Sequence, residues 1–134
     1  MENCRKMMKK CRVNITTVVD GQENTIAREG EMELSTLTTT LIYREENAST
    51  RIRLENERAE IERIGDYTMR LNLIRGEMTE GEIGLGGSSG AIQSLTHRIQ
   101  YSVTEKSLLL SLRYDLIISG EVQKMQIRLT ARYL

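Results

Sequence analysis

Residues 108–118 read Leu108-Leu109-Leu110-Ser111-Leu112-Arg113-Tyr114-Asp115-Leu116-Ile117-Ile118. Ser119-Gly120-Glu121 follows, and then Val122-Gln123-Lys124-Met125-Gln126-Ile127-Arg128-Leu129-Thr130-Ala131-Arg132-Tyr133. In the first run Leu108, Leu110, Leu112, Tyr114 and Leu116 share one phase of period two. In the second, Met125, Ile127, Leu129, Ala131 and Tyr133 do. Such alternation is the mark of a strand with one buried face, because successive side chains point to opposite sides. A glycine-containing connector between the two runs makes them a hairpin. An isolated hairpin is marginal in water, so the rest of the chain must supply further sheet.

The rest repeats the pattern. Val13, Ile15, Thr17 and Val19 alternate with polar residues up to an Asp20-Gly21 turn. Ile26 to Leu34 continues in extended form, with Gly30 as a bulge or close-approach point, and Thr36 to Glu45 is threonine-rich and β-branched. Ile52 and Leu54, then Ala59, Ile61 and Arg63, then Tyr67, Met69, Leu71 and Leu73 as the next strand, follow in phase, with turns at 46–49, 55–57 and Gly65-Asp66. Met78 to Leu85 is a weaker segment, the Gly-Ser run 84–90 reads as a flexible hairpin loop, and Ala91 to Tyr101 resumes as strand. No segment of convincing length has helical period. Many short strands joined by turn-length loops predict an all-β chain. Closure removes the costly free edges of such a sheet, which predicts a closed antiparallel up-and-down β-barrel of about eight to ten strands.

The 134 residues suit one domain. Lys+Arg number 19 and Asp+Glu 19, and this zero balance disfavours a protein built mainly to hold nucleic acid. The charge is uneven: residues 1–12 carry Arg5, Lys6, Lys9, Lys10 and Arg12 against Glu2 alone. The division expected is a basic N-terminal tail, 1–12, and a single barrel domain, 13–134. No apolar run follows the basic start, so it is not read as a signal peptide; nor is any run long enough for a membrane helix, and a cytoplasmic protein is expected. Cys4 and Cys11 match no zinc or redox spacing and read as incidental tail thiols.

Enzyme templates find little purchase. His97 is the only histidine, so any Ser-His-acid triad must use it, and no nucleophile elbow or phosphate-binding loop is present. No catalytic residue, metal ligand or cofactor is assigned. The sharpest internal signal is charge in the apolar phase. Glu45 shares its face with Leu41 and Tyr43, and Arg63 shares its face with Ala59 and Ile61. If those faces line the barrel, the two charges point inward and should pair, because an isolated charge there is costly. Tyr43, Glu45, Arg63, Tyr67 and Tyr114 are therefore the candidate ligand-binding residues: a pocket is apolar with a few placed polar groups.

The ordered set Asp20-Gly21, Glu29-Gly30, Tyr43-Arg44-Glu45 and Thr50-Arg51-Ile52-Arg53-Leu54 resembles a bacterial family of unknown function, the YwiB-like proteins. Ile61-Glu62-Arg63-Ile64-Gly65, Gly90-Ala91-Ile92, Thr96-His97-Arg98-Ile99 and Leu110 to Leu116 extend the similarity over about residues 13–134. The resemblance implies a calycin-type, lipocalin-like barrel, found mainly in Firmicutes and cytoplasmic. It offers no catalytic residue to transfer. The chain departs from it at 84–90, where relatives carry aromatic residues, and has no Phe or Trp, which tells against an aromatic-walled pocket. The first functional expectation is a non-enzymatic barrel that binds a small, partly apolar molecule inside. The second is an interaction module, a homodimer or hetero-complex using strand edges or an outer face. The third is an enzyme acting on a small substrate within the barrel.

Overall fold

The computed structural model describes residues 8–35 and 37–134. Ten strands form in order: β1 (Lys9–Val19), β2 (Gln22–Glu33), β3 (Thr39–Glu45), β4 (Ala48–Glu55), β5 (Arg58–Gly65), β6 (Thr68–Ile74), β7 (Met78–Leu85), β8 (Ser88–Val103), β9 (Ser107–Ile118) and β10 (Glu121–Tyr133). Each pairs antiparallel with its sequence neighbours, and β1 closes on β10, so the sheet is a closed up-and-down barrel. Two-residue turns with left-handed backbone at Asp20-Gly21 (φ 50° and 88°) and Ser119-Gly120 (φ 51° and 79°) match the twist of the strands they join.

Register puts the apolar phases in one interior. Ile15 lies opposite Leu129, Leu129 opposite Leu110, and Leu110 opposite Tyr101. Met32, Leu41, Leu54, Leu71, Leu73, Leu108 and Leu112 are among the fully buried side chains of this core. Side chains from all ten strands reach the interior, so the middle of the barrel is packed, as in other small barrels. The outward phases are mostly charged or polar, the reverse of the apolar band of a membrane barrel. Among the described residues no helix is long and apolar enough to cross a membrane.

Two local expectations change, and of the two alternatives at Gly30 the close approach holds. Strand β1 begins at Lys9, inside the stretch expected to be tail. Cys11 is fully buried between Gly30 of β2 and Tyr133 of β10. It continues the phase of Val13 and Ile15 because a thiol packs as a small hydrophobe, so it is a core residue, not an incidental tail thiol. Cys4 and the rest of residues 1–7 lie outside the described residues, as does Thr36. The Gly-Ser run is not a loop: Gly84 pairs with Ser89 and Leu85 with Ser88, and only Gly86-Gly87 turn, at φ 58° and 86°. Gly30 is a close approach in regular register with Tyr43, since a Cβ there would collide with the Ile42 carbonyl oxygen.

Candidate functional site

That close approach shapes one mouth of the barrel. The β2–β3 ladder runs from Glu33–Thr40 to Gly30–Tyr43 and stops, although β2 continues back to Gln22 and β3 on to Glu45. Beyond Gly30 the strands part. An open recess of about 530 Å³ lies there, bounded by Arg28, Arg44, Glu45, Asn47, Arg63 and Asp66. Arg28 occupies the inward phase of β2 with Ile26 and Met32 and was missed by the sequence reading. The signal was present, two residues before Gly30, but that half of β2 has too few apolar residues to fix its phase.

Glu45 and Arg63 both reach this mouth but do not form the expected pair with each other. Glu45 Oε2 lies 3.9 Å from Arg28 Nη2, each side chain about a third exposed (34% and 37%). Arg63, only 17% exposed in its side chain, turns to the β5–β6 connection. Its Nη1 donates to the Tyr67 carbonyl at 2.8 Å and its Nη2 to Asp66 Oδ1 at 2.8 Å. The guanidinium sits 3.8 Å from the centre of the Tyr67 ring. The reason is proximity in sequence: Asp66 and Tyr67 form the turn that follows β5, so they meet Arg63 at little entropic cost. Tyr67 is thus a turn residue, not the start of β6. The Arg63 hydrogen bond holds the Asp66 carboxyl below its ordinary range.

Tyr43 and Tyr114 stand deeper. Tyr114 is buried in β9 beside Tyr43, and burial pushes its phenol far up. Burial also raises Tyr43, partly offset by the neighbouring Thr50 hydroxyl. The inward residues Ile26, Met69, Ile118, Met125 and Ile127 remain partly buried against the core. Arg28 and Glu45, with Arg63 on Tyr67, therefore form a charged recess at the end of the barrel, while the phenols and aliphatic side chains lie deeper along the same inward phases and do not line it.

His97 does find a carboxylate: Nε2 lies 3.0 Å from Asp115 Oδ2. The pair sits on the outer wall, where a bulge between Thr96 and Arg98 turns His97 to solvent, so it does not face the interior. Among the described residues no cluster of three His, Cys, Asp or Glu could hold a metal ion.

No curated protein matches the chain. The crystal structure of ywiB protein from Bacillus subtilis superposes with a TM-score of 0.81 at 17% identity, over 95% of this chain and 93% of that one. At that identity the likeness establishes the fold. The family model described as "Domain of unknown function (DUF1934)" matches residues 12–130, which spans β1 to most of β10. The chain therefore belongs to the DUF1934 family, a YwiB-like group of closed β-barrels whose function is unknown.

Proposed function

We propose that the protein is a non-enzymatic, cytoplasmic binding barrel whose ligand, a small and partly apolar molecule with an anionic group, sits in the mouth between β2 and β3. The observation that carries this reading is the convergence of inward-phase charges from three strands, Arg28, Glu45 and Arg63, on one recess above a packed apolar core. Arg28 is the inward-phase cation available to the anionic group: its Nη1 donates to the Ala27 carbonyl but its contact with Glu45 is long and solvated, whereas Arg63 is already held by Asp66 and Tyr67 and Arg44 faces outward toward Glu31. The apolar remainder of the ligand would lie toward Tyr43 and the aliphatic side chains below. The packed interior supports a site at the mouth over one in the middle. Closure of the sheet leaves no strand edge for an interaction module, so that alternative is confined to an outer face. The buried free thiol of Cys11 accords with a reducing compartment.

Native mass spectrometry of the protein purified without denaturation tests the proposal. A small non-covalent adduct is expected on the parent and not on Arg28→Gln. An unliganded parent that also gains no thermal stability from a panel of amphiphilic carboxylates and phosphates would sink it, since any ligand of the native state must raise the melting point.

A further inference from the structure

The zero net charge conceals a segregation that only the register reveals. On the outward faces of β8, β9, β10 and β1 stand Lys10, Arg12, Arg98, Arg113, Lys124, Arg128 and Arg132, against one carboxylate, Asp115, which His97 engages. Two of the cross-strand pairs are arginine against arginine. Arg12 lies opposite Arg132 on β1 and β10, and Arg98 opposite Arg113 on β8 and β9. Like charges directly opposite destabilise a sheet. Among the described residues, no carboxylate lies within ion-pair distance of these four. On the opposite wall Arg51, Arg53 and Arg70 all have glutamate partners at 3.5–3.8 Å. The fold thus pairs the arginines of one wall and leaves the four outside any ion pair on the other, where, among the described residues, Arg128 is the one arginine that reaches a carboxylate, Glu23 of β2 at 3.4 Å, and Lys10 and Arg12 stand opposite Glu31 and Glu29 of β2.

Between the two arginine pairs runs an open groove of about 690 Å³. Short polar side chains, Asn14, Thr16, Gln100, Ser102, Ser111 and Thr130, alternate along it with Tyr101, Leu109, Leu110 and Leu129, and Arg128 stands on its rim, so much of the exposed lining is apolar. Arg132 and the position opposite Arg113, Gln126, are six residues apart on β10, so the pairs stand about 20 Å apart along the strands.

We propose that this wall binds the sugar–phosphate backbone of single-stranded nucleic acid, with an arginine pair clamping phosphates at each end of the groove. Arginine forks fit phosphate oxygens, and Ser, Thr, Asn and Gln are the neutral side chains that bond phosphate and sugar. The outward phase of these strands has no aromatic residue and Tyr101 is the one aromatic residue along the groove, so recognition rests on the backbone, with little base stacking and little sequence preference. A second copy of this chain would bring arginine against arginine. An acidic peptide would find no free edge to extend, because the barrel is closed.

The test is fluorescence anisotropy of the full chain with a 12-nucleotide oligothymidylate at several salt concentrations. Four phosphates neutralised give a slope of log K against log salt of about −2.8. Arg12→Gln/Arg132→Gln and Arg98→Gln/Arg113→Gln should each reduce the slope by about 1.4 and weaken binding about tenfold at low salt. Both should melt no lower than the parent, since each relieves a like-charge pair. Arg51→Gln/Arg53→Gln on the other wall should bind as the parent does. Absence of binding to the parent at low salt overturns the proposal. So does equal weakening by the opposite-wall variant, or oligoglutamate of matched charge binding as tightly as the oligonucleotide.

Discussion

Replacing Arg63 by methionine keeps the aliphatic stem and removes the guanidinium, which now serves three neighbours at once. The bond to the Tyr67 carbonyl, 2.8 Å long and partly buried, is charge-assisted and worth about 1.5–3 kcal/mol. The contact with the Tyr67 ring, 3.8 Å to its centre, adds about 1 kcal/mol. Asp66 is 65% exposed, so its ion pair is screened by solvent and contributes little. The expected loss is therefore about 3 kcal/mol, or about 10 °C in melting temperature for a domain of this size. Urea unfolding followed by far-ultraviolet circular dichroism reads it as a lower midpoint at unchanged slope. Arg63→Lys should recover only a fraction, because a point charge cannot serve carbonyl, carboxylate and ring together. In a double-mutant cycle Arg63→Met and Glu45→Gln should couple by less than about 1 kcal/mol, since Glu45 faces Arg28. A loss below about 0.5 kcal/mol for Arg63→Met would refute this account, and coupling above about 2 kcal/mol in the cycle would replace it with a direct Glu45–Arg63 pair.

Four further outcomes follow from the packing. The Thr96 hydroxyl is buried without a hydrogen-bond partner, so Thr96→Val should stabilise by about 1 kcal/mol in the same urea assay. Gly30→Ala should cost about 3 kcal/mol through collision with the Ile42 carbonyl, whereas Gly90→Ala, with open space at its Cβ, should be neutral within about 0.5 kcal/mol. In a Cys4→Ser background, burial raises the Cys11 thiol from 9.0 to about 11, so it should react with a disulfide reagent at pH 8 only after denaturation. The folded state then holds that proton more tightly than the unfolded one, and stability should fall as pH rises from 9.0 toward about 11; in Cys11→Ala the fall should be smaller and begin only near pH 10, where the buried phenols of Tyr43 and Tyr114 add their own. Deleting residues 1–12 removes Cys11 and the β1–β2 pairs from Lys9–Met32 to Arg12–Glu29; a drop of about 3 kcal/mol or more is expected, and an unchanged thermal midpoint would show that this stretch is not part of the wall.

Strand periodicity is local, and that is why the barrel was legible before any coordinates. Leu108 to Leu116 and Met125 to Tyr133 reveal their buried faces by alternation alone, and Asp20-Gly21 and Ser119-Gly120 reveal their turns because few residues accept left-handed backbone. The same periodicity put Tyr43, Glu45, Arg63 and Tyr114 on the inward side. The sequence by itself thus determined an all-β chain, an antiparallel order and the faces of most strands. Which charges meet was a matter of register and stagger, which no local pattern carries. Only tertiary pairing brought Arg28 to Glu45, released Arg63 to the turn residues Asp66 and Tyr67, and drew Lys9 to Arg12 into β1, against β2 throughout and against β10 from Cys11 on. Net charge, too, is a sum without positions. Its segregation into a wall of matched ion pairs and a wall of opposed arginines exists only once ten strands are laid side by side, because cross-strand neighbours are far apart in sequence.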